Sequence, residues 1–217
     1  MMLEAKNIHK SFNKLNVLKG VNMEMEKGEI VSIVGKSGTG KSTLLHILGT
    51  LDRADTGDLY IAGEKIDSLG RKQLAAFRNH TLGFIFQFHH LLEEFNALEN
   101  IMIPGLIKKE NRKKLEFRAM ELLEMMDLRE RFDHKPNQMS GGEQQRVAVA
   151  RALINQPALI LADEPSGNLD TESSEDLHNL LFKLRDEFNQ SFIIVTHNME
   201  LAALSNRYLT MENGILR

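Results

Sequence analysis

Gly35-Lys36-Ser37-Gly38-Thr39-Gly40-Lys41-Ser42 follows the apolar run Glu29 to Val34 and precedes a stretch that reads as a helix beginning near Lys41. The spacing is that of a phosphate-binding loop, G-x-x-x-x-G-K-[ST], in the strand–loop–helix setting the pattern requires. Glycines let the backbone curl so that successive N–H groups point inward, and the helix N-terminus adds the positive end of its dipole at the same place. Lys41 is then placed to reach terminal phosphates and Ser42 to ligate Mg²⁺, with Thr43 completing the first turn. On composition alone the pattern arises by chance in roughly one chain in a hundred of this length, so a second signal is needed.

That signal is Leu159-Ile160-Leu161-Ala162-Asp163-Glu164, an apolar strand ending in two carboxylates. The first acid suits a Mg²⁺ ion bound beside phosphates, and Glu164 stands where it can accept a proton from an attacking water. Guanine-reading proteins carry an N-K-x-D element; Asn13-Lys14-Leu15-Asn16 lacks the aspartate. Adenine is the expected base, and ATP with Mg²⁺ the expected cofactor pair.

The rest of the composition narrows the setting. At 217 residues the chain can bury its own core, and it has no cysteine for disulfides or thiolate-bound metal. A net charge of -3 gives no basic excess to attract a nucleic-acid backbone. Met1 to Lys10 lacks the apolar core of a signal peptide, and no run approaches the roughly 18 apolar residues that span a bilayer. No direct membrane span and no nucleic-acid partner are therefore expected. His89-His90, with no further ligands nearby in sequence, makes a poor zinc motif.

Short apolar runs at Val17 to Met25, Ile30 to Val34, Leu82 to Ile85, Leu159 to Ala162 and Phe192 to Val195 read as strands with helices between them, an α/β pattern. Ala119, Leu122, Leu123 and Met126, and then Leu177, Leu180, Leu181, Leu184 and Phe188, fall on single helical faces expected to be buried. Lys108 to Lys114 is read as a solvated loop and helix start. Phe95 to Leu153 is mostly helical and interrupts the strands. One domain over 1–217 is expected: a nucleotide-binding core from 1–87 and 156–217, a helical subdomain over about 88–155, and an N-terminal antiparallel β region.

Met139-Ser140-Gly141-Gly142-Glu143-Gln144-Gln145-Arg146 resembles the signature sequence of the ABC ATPases, the P-loop proteins that power ABC transporters. The resemblance covers nearly the whole chain: Phe12 stands at the aromatic A-loop position, Gln87 at the Q-loop, Gly167-Asn168-Leu169-Asp170 at the D-loop and His197 at the switch histidine. It implies head-to-tail pairing with a second copy, each ATP being held by one P-loop and the partner's Ser140, Gly141 and Gly142, with Asp170 also on the nucleotide side. It further implies that Phe12 stacks on adenine, that Gln87 senses the γ-phosphate and shares in holding the metal, and that His197 contacts the γ-phosphate. Integral membrane permease subunits are the implied partners.

Within the family, Gly83-Phe84-Ile85-Phe86-Gln87-Phe88-His89-His90-Leu91-Leu92 looks like the ATPase of bacterial lipoprotein-releasing (Lol-type) systems. This implies work as a peripheral protein at the cytoplasmic face of the inner membrane, with release of lipoproteins towards a periplasmic carrier. His89-His90 would shape the groove that receives a permease helix. Leu161 to Asp170 is shared with macrolide-exporter and cell-division ATPases, which remain alternatives, as does a soluble nucleic-acid-associated ABC ATPase. Phe12, Met139, Glu143 and Glu93 depart from the family's commoner tyrosine, leucine, glutamine and proline.

Overall fold

A computed structural model describes residues 1–13 and 15–217; Lys14, within the near-match to a guanine-reading element, lies outside them. Strands run β1 Leu3–Phe12, β2 Leu15–Met25, β3 Ile30–Val34, β4 Thr56–Ile61, β5 Glu64–Lys65, β6 Leu82–Phe86, β7 Leu159–Asp163, β8 Ser191–Val195, β9 Arg207–Glu212 and β10 Ile215–Leu216. Helices are α1 Lys41–Leu48, α2 Arg71–Thr81, α3 Ala97–Ile107, α4 Arg112–Met125, α5 Gly141–Leu153, α6 Thr171–Phe188 and α7 Met199–Leu204. They build a six-stranded sheet in the order β10-β9-β3-β8-β7-β6 and a four-stranded antiparallel sheet in the order β2-β1-β4-β5. In the larger sheet only β10 runs antiparallel to its neighbour.

The central strands β3 and β8 are buried at every position, as parallel strands covered on both faces must be. Alternate residues serve different cores. Ile30, Ile160, Ala162, Phe192 and Ile194 face the helices α3 to α6, with Val147, Ala150, Leu177 and Leu181 among their partners. Val31, Ile33, Leu161, Ile193 and Val195 face α1 and the antiparallel sheet, where Leu44, Leu45, Leu48, Leu3 and Ile8 close the second core. The period of two is what lets each central strand hold two layers together.

The α/β architecture, the antiparallel N-terminal region and the helical interruption match the sequence reading. Three details differ. Helix α2 has no fully buried residue; Leu74 and Phe77, half-buried against the second core, are too short an apolar stripe to reveal Arg71–Thr81. The edge strand β10 and its neighbour β9 bury only Met211, too little for an alternating signal. On α6, Leu177, Leu181 and Leu184 are buried but Phe188 is 54% exposed. It is the last helical residue, and Asn189 then turns the chain through a left-handed conformation at φ 53 into buried Gln190 and strand β8, leaving the Phe188 ring at the surface. Within the helical stretch, only two short 3₁₀ turns occupy the chain between α4 and α5. Among the described residues, no helix is long and apolar enough to cross a membrane.

Candidate functional site

The carboxyl ends of β3, β6, β7 and β8 lie along one edge of the sheet, the position where open parallel sheets bind ligands. Each delivers one part of a cleft of about 560 Å³. The loop after β3 supplies Gly35, Ser37, Gly38 and Gly40, and α1 supplies Lys41, Ser42 and Thr43. From β6 comes Gln87, from β7 Asp163 and Glu164, and from β8 His197, while Phe12 and Val17 reach in from the antiparallel sheet. Val17 had no sequence signal, being one apolar strand residue among many. Lys36 and Thr39 sit on the other side of the loop, in a second cleft beside Thr210 and Met211.

Two loop glycines are demanded by geometry. Gly40, with φ 107, caps α1 in a conformation that a side chain disfavours, and an added Cβ there would press on the Val17 carbonyl oxygen at 3.2 Å. At Gly35, φ is 153 and a Cβ would collide with the Met211 carbonyl oxygen. The largely buried Lys41 turns back across the loop, its Nζ donating to the carbonyl oxygens of Gly35 at 2.8 Å and Lys36 at 3.1 Å.

Beyond this loop, Ser42 Oγ donates to Asp163 Oδ1 at 3.3 Å. Burial pushes the Asp163 carboxyl up from its ordinary range, against the opposing effects of the Ser42 hydrogen bond and the His46 and Lys41 charges. A half-buried carboxylate and a hydroxyl, both oxygen donors and both opening on a phosphate loop, suit a hard divalent cation such as Mg²⁺. Glu164, next in line, adopts φ 45, a strained backbone state for a residue with a side chain, held by its N–H donating to the Val195 carbonyl at 2.8 Å. The strain turns its carboxylate out of the strand: Oε2 lies 2.8 Å from His197 Nδ1 and accepts the His197 backbone N–H at 3.2 Å.

Gln87 and Asn168 clasp each other. Gln87 Nε2 donates to Asn168 Oδ1 at 3.0 Å, and Asn168 Nδ2 donates to the Gln87 carbonyl at 3.1 Å. Gln145, fully buried on α5, donates to the carbonyls of Phe86 at 3.3 Å and Pro165 at 2.6 Å, so one side chain joins the two strand ends that carry Gln87 and Glu164. Arg151, lower on the same helix, donates to the His89 and His90 carbonyls at 2.7 and 2.6 Å. Burial lowers its pKa, and the two carbonyls stand in for the carboxylate it lacks. Gln145 and Arg151 could be read only as helix residues in the sequence, because carbonyls that lie far away along the chain decide their roles.

Ser140, Gly141, Gly142 and Asp170 do not line the cleft. Ser140 caps α5, accepting from the Glu143 N–H at 3.2 Å while Glu143 accepts the Ser140 N–H at 2.8 Å. Asp170 caps α6, accepting from the N–H and the hydroxyl of Ser173, both at 2.9 Å. A Cβ on Gly142 would meet Ser173 Oγ at 2.9 Å, so the two helix starts lie against each other. Together they form an outward-facing surface apart from the phosphate loop of the same chain.

Comparison with known proteins shows the family. Residues 18–167 match the ABC transporter family profile. The chain is 56% identical to a lipoprotein-releasing system ATP-binding protein, LolD, of Cytophaga hutchinsonii, over 99% of this chain and 98% of that protein. The protein of the same name from Porphyromonas gingivalis is 57% identical, over 100% and 99%. Among solved structures, a dimeric post-hydrolysis ATP-binding cassette bound to ADP and Pi is 40% identical, superposes with a TM-score of 0.91, and is matched over 100% of this chain and 97% of that one.

Proposed function

This chain belongs to the ABC transporter family as an ATP-hydrolysing subunit of the lipoprotein-releasing type, and we propose that its turnover drives release of lipoproteins from the inner membrane towards a periplasmic carrier. The observation that carries the energy-converting part is one cleft that joins a phosphate loop to Asp163, Glu164, His197 and Gln87. The near-identical lengths and high identity shared with LolD proteins support the cargo.

In this reading Phe12 stacks on adenine, while the loop N–H groups of Gly35 to Gly40 and the charge of Lys41 grip the phosphates. Ser42 and Asp163, with Gln87 from the facing wall, would hold Mg²⁺, which supplies charge to neutralise the phosphate oxygens. Glu164 takes the proton of the attacking water, and His197, 2.8 Å from it, orients that carboxylate and reaches towards the γ-phosphate. A second copy supplies Ser140, Gly141 and Gly142 from its own α5, where the helix N-terminus receives a γ-phosphate, and Asp170 lines the same junction.

Residues 1–217 act as one domain, with core 1–87 and 156–217 and a helical lever over about 88–155. Gln145 and Arg151 fasten that lever to the loops carrying Gln87 and Glu164. A cleft of about 540 Å³ between α2, β6 and α3 includes Phe86, His90, Pro104 and Ile107 and shares no lining residue with the phosphate-loop cleft. In this reading a helix of a permease subunit docks there and feels each change at Gln87 through β6, with the protein working at the cytoplasmic face of the membrane.

The test is recovery of tagged Glu164→Gln protein from native membranes with ATP and Mg²⁺, followed by mass spectrometry. Permease subunits together with lipoproteins are expected. Cell-wall regulators in their place would instead assign the engine to cell division.

A further inference from the structure

We infer that Lys10 is a positioning residue for the nucleotide base: it fixes the Phe12 ring from behind and sets its distance from the phosphate loop. The inference rests on the assignment of Phe12 to adenine and adds the device that makes an exposed ring a defined platform. Lys10 and Phe12 lie two apart near the end of β1, where an irregularity in the pairing with β2 between Lys10 and Ser11 lets the two side chains meet. The Lys10 ammonium lies over the Phe12 ring, 5.2 Å from its centroid.

Phe12 is 49% exposed, so packing alone does not hold it, whereas Lys10 is 9% exposed and held firmly. Its Nζ donates to Asp52 Oδ1 at 2.9 Å and to the Arg53 carbonyl at 2.7 Å, with Asp55 Oδ1 at 3.8 Å. The Asp52 N–H reaches the His46 carbonyl on α1 at 3.2 Å, and Asp55 accepts the Ser11 N–H at 2.7 Å. A line of contacts therefore runs from the ring through Lys10 and Asp52 to the helix whose first turn carries Lys41 and Ser42. A cation on one face of a ring restrains it and draws π density from the other face, which favours stacking there on an electron-rich base.

The experiment compares ATP with inorganic tripolyphosphate, which has no base, by titration calorimetry, using the full chain and the variants Lys10→Met, Lys10→Arg, Asp52→Asn, Phe12→Leu and Lys10→Met with Phe12→Leu. Lys10→Met is expected to weaken ATP about three- to tenfold while tripolyphosphate is unchanged, and Lys10→Arg is expected to restore ATP affinity. In the Phe12→Leu background the Lys10→Met effect should shrink to less than about twofold, since a ring must be present for Lys10 to act on. If Lys10→Met does not fold, Asp52→Asn, which removes the charge of the carboxylate nearest Lys10 and loosens its hold, must show a selective loss of ATP in the same direction. Unchanged ATP affinity, equal losses for both ligands, or full additivity with Phe12→Leu overturns the inference. If Phe12→Leu itself leaves ATP binding intact, the assignment of the base site fails and the inference with it; a loss in Phe12→Leu without one in Lys10→Met removes the inference alone.

Discussion

Two helices of the chain start at glycines, α1 directly after Gly40 and α5 at Gly141-Gly142, and the two starts are built for different tasks. At α1, Gly40 caps the helix in a left-handed conformation without a side-chain hydrogen bond, and the first residues line the cleft. At α5, the start is closed by a reciprocal capping box between Ser140 and Glu143, and it faces away from that cleft. The first leaves its N–H groups free to meet phosphate beside Asp163 and Glu164; the second is a rigid, self-satisfied surface with nothing to act on in its own chain. A helix N-terminus gains a role from what faces it. In the function proposed above, the missing face is a second copy's phosphate loop.

The strongest way to sharpen the contrast is to disable chemistry while leaving both helix starts intact. Glu164→Gln should lower ATP turnover by about 10²- to 10⁴-fold, measured as phosphate release, with ATP binding retained. Lys41→Ala strikes only the α1 side. It removes a charge-assisted contact worth about 1.5–3 kcal/mol, so ATP affinity should fall roughly 10- to 100-fold in calorimetry. Ser140→Ala strikes only the α5 side, and loss of the cap should cost about 1 kcal/mol of stability in thermal unfolding, while the affinity of the monomer for ATP stays unchanged.

The smallest effect concerns His178, buried on α6 with Nε2 3.0 Å from Ser166 Oγ, just past Glu164. Burial lowers its pKa from 6.5, opposed by the Glu200 and Glu175 charges. The unfolded chain therefore takes up this proton first, so the stability contributed by the neutral ring is present above pH 6.5 and declines as pH falls towards the depressed folded pKa. His178→Gln should flatten that acid-side slope in urea unfolding measured between pH 7 and 5.

The same contrast shows how far the sequence could be read. Residues that act through their own chain neighbours were legible: the glycines of the phosphate loop, the acids ending the apolar strand β7, the buried alternation of β3 and β8. Residues whose partners are brought by folding were not. Gln145 and Arg151 each work on carbonyls of distant loops, and no property of a glutamine or arginine in a helix discloses that. Val17 enters the cleft only because the antiparallel sheet folds over Gly40. Helix α2 buries no residue fully, and Leu74 and Phe77 alone left too short a periodic mark. Ser140 and Asp170 were readable only through the family resemblance, and the single chain shows them as helix caps.

The central claim is that one ATP joins the α1 start of one chain to the α5 start of another, and a mixing experiment tests it most directly. Two variants are prepared on the Glu164→Gln background: one also carries Lys41→Ala, the other Ser140→Arg. With ATP and Mg²⁺, each alone should sediment as a monomer, and their mixture should form a heterodimer holding one ATP, because one intact phosphate loop meets one intact signature. No association on mixing, or dimers formed by either variant alone, would contradict the account.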